Sequence, residues 1–253
     1  MPIPRPVLLM DHAGHACSVS IVDSEGLILA DRIQREPQRQ AEDLAPMVRE
    51  CLHEAGVQVR DLAAIACQRG PGSYTGLRIG AALAQGLALP NSVPLVGVGT
   101  LESMVYGYAM RLGPKSWGSD DQPTWWIPMM DNRRDEYLSG LYTVNLAFKG
   151  IFPDLKVWQE AEPCLPDENF FLKIQGQKVC FIGDGAPKWQ QTLRVSGYID
   201  KWKTADFVYD FDIVSSDWFG LVSKYLARGN TQVASSFIVD YRKPFFGNIF
   251  TKS

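Results

Sequence analysis

The sequence predicts an α/β protein of two lobes, each opening with a β-meander and continuing in alternating strands and helices. Three observations carry that expectation. Residues 1–34 read as three short alternating strands joined by turn chemistry. From there to residue 112, helical and strand periodicities take turns. At "WWIPMMD" the pattern restarts: this stretch ends at Asp131 as "PVLLMD" ends at Asp11, so that "LLMDHAGHACSVSIV" aligns with "PMMDNRRDEYLSGLY". The expected division is 1–112 for the first lobe and 113–253 for the second, with the last segment docking back on the first.

Taken in order, "PVLLMD" and "CSVSIVD" are strands, "DSEG" turns the chain, and "LILADRIQ" runs back. "RQAEDLAPMVRECLHEAG" places Leu44, Met47, Val48 and Cys51 on one helical face, with Asp43 near the cap, Pro46 in the first turn and Gly56 ending it. "LAAIACQ" is a short buried strand, and a Gly-rich corner leads to a helix running to Leu89. "VPLVGVG" is a strand and "TLESMVYGYAMRLG" a helix capped by Thr100. The linker "GPKSWGSDDQPT" follows, then the second copy with the turn "NRRD", a strand in "VCFIGDGA", and helices near Pro187–Val195 and Ile213–Ala227.

The bulk numbers narrow the function. A chain of 253 residues, 46% hydrophobic and 21% charged, has an ordinary globular composition. Its net charge of -3 argues against broad electrostatic capture of nucleic acid or an anionic membrane. Five cysteines without a C-x-x-C read as reduced thiols of a cytoplasmic protein. No run is long and apolar enough to expect a membrane span or signal peptide.

The corner "GPGSYTGLRIG" is neither a P-loop, because Gly76 is followed by Leu77 and Arg78, nor a dinucleotide fingerprint, because its glycines are Gly70, Gly72 and Gly76. Its structural reading is a sharp turn at Gly70 and Gly72, with Thr75 as N-cap. Gly76, Gly80, Ala84 and Ala88 then make a ridge almost without side chains, beside apolar Leu77 and Ala81 and a polar stripe of Arg78 and Gln85. A helix apolar on two sides needs cover on both, and its own sheet supplies one. The first helix can cover part of the second side, and the pair would then present a groove to another chain, contacting Leu44, Met47, Val48, Cys51, Leu77, Arg78, Gly80, Ala81, Ala84 and Gln85; the alternative is that the helices and sheets of this chain bury everything.

"GPGSYTGLRIG" with the following "GLA" and "VPLVGVGTLESM" resembles the signature of the bacterial TsaB (YeaZ) family, which is related to the glycoprotease-like TsaD proteins. "LLMD…ACSVSIVDSEG", "MMDNRRDEYLSGLY" and "FIGDGA" extend the likeness. The resemblance implies the actin-like/Hsp70-like/sugar-kinase fold, of the ribonuclease H-like class. It implies a non-catalytic subunit that pairs with a TsaD-like transferase in forming N6-threonylcarbamoyladenosine at position 37 of tRNA. It also implies a TsaE-like ATPase in the larger assembly, a homodimer when alone, and indirect contact with tRNA. No cofactor is expected on the chain alone, ATP and magnesium being held by the partner or at the shared interface.

Two rival readings belong to other classes. An ATP-dependent phosphotransferase of the same fold would use Asp11, Asp131 and Asp184, which fall at strand ends or turns where a cleft would lie. Against it, His12-Ala13-Gly14-His15 stands where the family carries a hydroxyl residue after the first aspartate. A metal-dependent peptidase would need a ligand set; the candidates are His12 and His15, three apart in a loop, with Ser73 as a nucleophile that would have to approach them in space, and the spacing supports neither zinc nor a nucleophile elbow. His53 falls on the polar face of the first helix with Arg49 and Glu50.

Overall fold

The computed structural model describes residues 5–14, 16–36, 39–118, 123–131, 137–145, 152–164, 174, 176–202, 204–209 and 213–241. The expected turn "NRRD", His15, and the last segment beyond Tyr241 lie outside them.

Strands β1 (Val7–Asp11), β2 (Cys17–Val22) and β3 (Ile28–Gln34) form the expected meander. Helix α1 (Gln40–Glu54), β4 (Ala64–Gly70), α2 (Tyr74–Asn91), β5 (Leu95–Gly99) and α3 (Thr100–Leu112) follow. The first sheet runs in the order β3-β2-β1-β4-β5, antiparallel through the meander and parallel from β1 to β4 to β5. A second set repeats the arrangement: β6 (Thr124–Asp131), β7 (Tyr137–Asn145), β8 (Asp154–Cys164), β9 (Lys178–Ile182), α4 (Ala186–Val195) and β10 (Asp206–Val208). Its sheet, read as β8-β7-β6-β9-β10, has the same strand order and the same antiparallel and parallel pairings. The duplication suspected from Asp11 and Asp131 is therefore topological: each ends the central strand of its sheet. This is an α/β fold of two mixed five-stranded sheets with one shared strand order. After β10, a 3-10 turn (Ser215–Trp218) and α5 (Phe219–Ala227) return to the first lobe.

Side-chain alternation decides the layers. On β1, Leu8 and Met10 join α1 and α2 in one cluster, while Val7 and Leu9 face Tyr106, Trp218 and Phe219 in another. A central strand buried on both faces cannot show polar alternation, hence the unbroken "VLLM". Full burial of each such side chain contributes about 1.5–3 kcal/mol. Leu101, Val105 and Tyr108 of α3 pack against Trp126 and Tyr142 of the second sheet, so α3 sits between the sheets; Trp189 of α4 closes the far side.

Three local expectations are corrected. Helix α1 starts earlier than Asp43, so Pro46 falls inside it and its missing N–H leaves the carbonyl four residues back without a helical donor. Ser73, not Thr75, caps α2: its hydroxyl accepts from Gly76 N–H at 3.2 Å. Gly99 is the cap of α3, its N–H donating to Glu102 Oε2 at 3.0 Å, and Thr100 is the first helical residue.

Candidate functional site

The first site to examine is the α1–α2 face. The structure places Leu44, Met47, Val48, Cys51, Leu77, Gly80, Ala81 and Ala84 inside the chain's own core, none more than 7% exposed among those with side chains counted. Leu44, Met47, Val48, Cys51, Ala81 and Ala84 share one core cluster with residues of β1, β2 and β4, and buried side chains of this kind cannot act as contact residues while the chain stays folded. The small-residue ridge has an internal occupant as well. A Cβ added to Gly80 would come within 2.2 Å of the His12 ring, and one added to Gly76 within 2.4 Å of the His12 carbonyl. The ridge therefore admits His12, and a bulky residue at Gly80 would collide with that ring. Gln85 is also committed internally: its Nε2 donates to the Ala234 and Phe237 carbonyls at 2.9 and 3.3 Å, holding the segment after α5 on α2. Of the expected contact residues Arg78 is exposed, lying over the Tyr74 ring at 5.4 Å.

What α2 turns outward is a different set. Thr75, Ala82, Gly86 and Leu89 are exposed, Ile79, Leu83 and Leu87 half-buried. Nothing lies within 4 Å of a Cβ built on Gly86. On the neighbouring α1, Ala41 and Ala45 are exposed. This face is small, apolar and nearly uncharged, and the ordering of positions 75, 79, 82, 86 and 89 gives it one side of the helix.

The second site is a cleft of about 190 Å³ between the lobes. The ends of β1 and β4 contribute Asp11 and Gln68; α3 contributes Thr100, Ser103, Met104 and Tyr108; the second lobe adds Met130, Gly183 and Asp184. Asp184 follows β9, where Gly183 takes a positive φ of 103° and turns the chain toward the cleft. Asp131 lies at the rim instead of the lining: its N–H donates to Asp184 Oδ1 at 3.1 Å and its carboxylate pairs with Lys188 at 3.3 Å. The cleft thus brings Asp11 and Asp184 together, with Asp131 beside the latter.

Electrostatics at the cleft floor are unusual. Burial pushes Asp11 up to about 7, against hydrogen bonds from Trp218 and Gln68 that favour the charged form; Asp217 nearby adds to the rise. Trp218 Nε1 donates to Asp11 Oδ2 at 3.4 Å. Gln68 accepts from the His12 and Ala13 N–H groups at 3.0 and 2.9 Å and donates to Ser103 at 3.0 Å, which fixes the β1–β2 turn on β4. Adjacent His12 is fully buried and driven down to about 4 by that burial, the backbone at Gly76 opposing more weakly. It is a neutral ring packed on a helix. Ser73, the other half of the peptidase reading, spends its hydroxyl on the α2 cap. Among the described residues no cluster of three His, Cys, Asp or Glu is placed to hold a metal, and no helix is long and apolar enough to cross a membrane. Thr100 and Trp218, both at the cleft or its floor, were not singled out for this role from sequence; Trp218 comes from more than 200 positions away, with no local signal.

The family model described as "TsaD: tRNA N6-adenosine threonylcarbamoyltransferase" matches residues 35–147. The chain is 28% identical to "tRNA threonylcarbamoyladenosine biosynthesis protein TsaB" of Bacillus subtilis over 74% of each chain. It is 41% identical to the protein of the same description in Escherichia coli, over 40% of this chain and 43% of that one. The solved structure "YeaZ from Pseudomonas aeruginosa" superposes with a TM-score of 0.68 at 26% identity, covering 94% of this chain and 99% of that one. The chain is similar to the TsaB (YeaZ) proteins in sequence and in fold. Its match to the Escherichia coli TsaB spans less than half of that relative's length, whereas the YeaZ structure is matched over nearly all of both chains.

Proposed function

We propose that the chain is the subunit that pairs with a TsaD-like threonylcarbamoyltransferase in forming N6-threonylcarbamoyladenosine on tRNA, and that it works by assembly and not by chemistry of its own. The observation that carries the pairing is the outward face of α2, where Ala82, Gly86 and Leu89 are exposed beside half-buried Ile79 and Leu83. Small residues there let a second helix approach closely, and the apolar strip is what such an approach would bury. The TsaD description of the matched family model, which spans α1 and α2, supports a quasi-symmetric arrangement. Two related folds would meet through the same pair of helices, as in an isologous contact. Roughly 800 Å² per partner is ordinary for a stable specific complex.

In this reading Arg78 sits at the edge of the face as a register-setting charge. The same face supports a homodimer in the absence of the partner. A TsaE-like ATPase joins the pair, tRNA is met through the partner, and ATP with magnesium is held by the partner or at the shared boundary. Burial of Asp11, which raises its carboxyl to about 7 and so disfavours the charged form that a magnesium ligand needs, supports this over a free-standing phosphotransferase.

The test is sedimentation of the purified chain with a TsaD protein from the same source, for the wild type and Gly86→Arg. The Gly86 site is open, so the fold is spared. A one-to-one complex lost in Gly86→Arg supports the assignment; no complex with a folded partner, or a complex indifferent to the substitution, overturns it.

A further inference from the structure

The cleft between the lobes has the features of a binding site that the pairing function does not use. Thr100 is 4% exposed, and its hydroxyl has no hydrogen-bond partner among the described residues, yet the residue lines the cleft at the first turn of α3. A buried hydroxyl without a partner costs free energy unless something supplies the bond. Asp11 lines the same floor. The walls are different in kind: Met104 and Tyr108 from α3, Met130 from β6, and Tyr209 and Ile213 beyond β10. Thioethers and aromatic rings favour a flat aromatic body between them. The charged groups among the described lining residues are both carboxyls, Asp11 and Asp184. The volume of about 190 Å³ compares with roughly 150 Å³ for a cavity that takes benzene. It therefore suits a molecule of about ten heavy atoms, and a triphosphate would have to extend out of it.

From these observations we propose that the interlobe cleft binds a planar, unphosphorylated aminoheterocycle, whose N–H donors meet Asp11 and whose ring edge bonds Thr100, with its body between Met104 and Met130. This site lies away from the outward face of α2, so it stands or falls independently of the pairing.

The test uses the isolated full chain and titration calorimetry with three probes: 2-aminobenzimidazole, adenine and ATP. Saturable one-site binding of at least one of the two heterocycles is expected, with ATP no tighter than adenine. Thr100→Val keeps the shape and the β-branch of the side chain, and should weaken that binding about tenfold, the loss of one hydrogen bond, with a melting temperature no lower than the wild type's, since an unpartnered buried hydroxyl is removed. The absence of saturable binding by both heterocycles overturns the proposal. So does binding indifferent to Thr100→Val in a variant that melts normally. ATP binding tenfold or more tighter than adenine would also refute it, because the site would then be reading phosphate.

Discussion

Asp11→Asn probes the cleft floor directly, because the substitution keeps the shape of the side chain and removes its titration. In the folded chain the Asp11 carboxyl holds its proton up to about 7, against 3.8 for the ordinary group. The folded state therefore carries the excess proton between those values. Its contribution is fully present below the lower value and is lost as pH rises through the upper one. Asparagine has no such loss, so the variant should gain on the wild type as pH rises. Integrating the two titrations gives a gain of roughly 2–3 kcal/mol between about pH 5 and pH 8. His12 must be kept out of the comparison. Its folded value of about 4, below the ordinary 6.5, makes stability fall as pH drops through that range, a slope opposite to that of Asp11. Subtracting the wild-type curve from the variant's removes this term, which both share. The assay is urea unfolding at half-unit pH steps, followed by fluorescence and analysed at constant m. A variant-minus-wild-type difference that is flat, or that shrinks toward high pH, would refute the buried, proton-holding Asp11.

Other expectations rest on contacts already described. Gly80→Ala should cost about 1–2 kcal/mol, the overpacking against His12 outweighing the helix propensity gained; in a His12→Ala background the same change should turn neutral or stabilising, read by a double-mutant cycle. Gly86→Arg should abolish co-sedimentation with a TsaD protein while its melting temperature stays within a degree or two of the wild type, a surface change away from any contact. Cys17, Cys51, Cys67 and Cys180 are buried, with thiols pushed up to about 11 or 12 chiefly by burial. Iodoacetamide at mildly alkaline pH should label none of these four in the native chain and all of them in urea, as peptide mapping would show.

The first sheet and its helices were legible because each element keeps one period: "VLLM" is buried on both faces, and α1 shows an apolar stripe at Leu44, Met47, Val48 and Cys51. Strand β8 was not, because it is an edge strand whose outward residues are Asp154, Lys156, Trp158 and Glu160, and a charged alternating run looks like a solvated loop without its partner β7. Strand β10 spans only three residues, too few for any period to show. Cap positions failed by one or two residues because Ser73 and Thr75 offer the same chemistry, and only the turn after Gly70 selects between them. At the cleft, the repeat pointed to Asp11 and Asp131, where central strands end at equivalent places, and a turn after a strand pointed to Asp184. Burial is what raises Asp11, and the groups that bond it against that rise, Trp218 and Gln68, come from distant elements and carry no mark in the sequence.

Helix α2 shows why composition could identify a surface and still misassign its residues. Glycine and alanine at four-residue spacing report that something approaches the backbone closely, without reporting what. The inward line through Gly76, Gly80, Ala84 and Ala88 meets His12 and the chain's own core, while the outward line through Ala82 and Gly86 meets nothing within the chain. The two lines lie on opposite sides of one helix, so a single stretch of small residues serves folding on one side and leaves a flat, apolar strip on the other. Substitutions at Gly80 and Gly86 separate these roles. The first should move stability with pairing following only through loss of fold, and the second should move pairing with stability unchanged. A Gly86 variant that lost stability, or a Gly80 variant that lost only pairing, would reverse the assignment of the two faces.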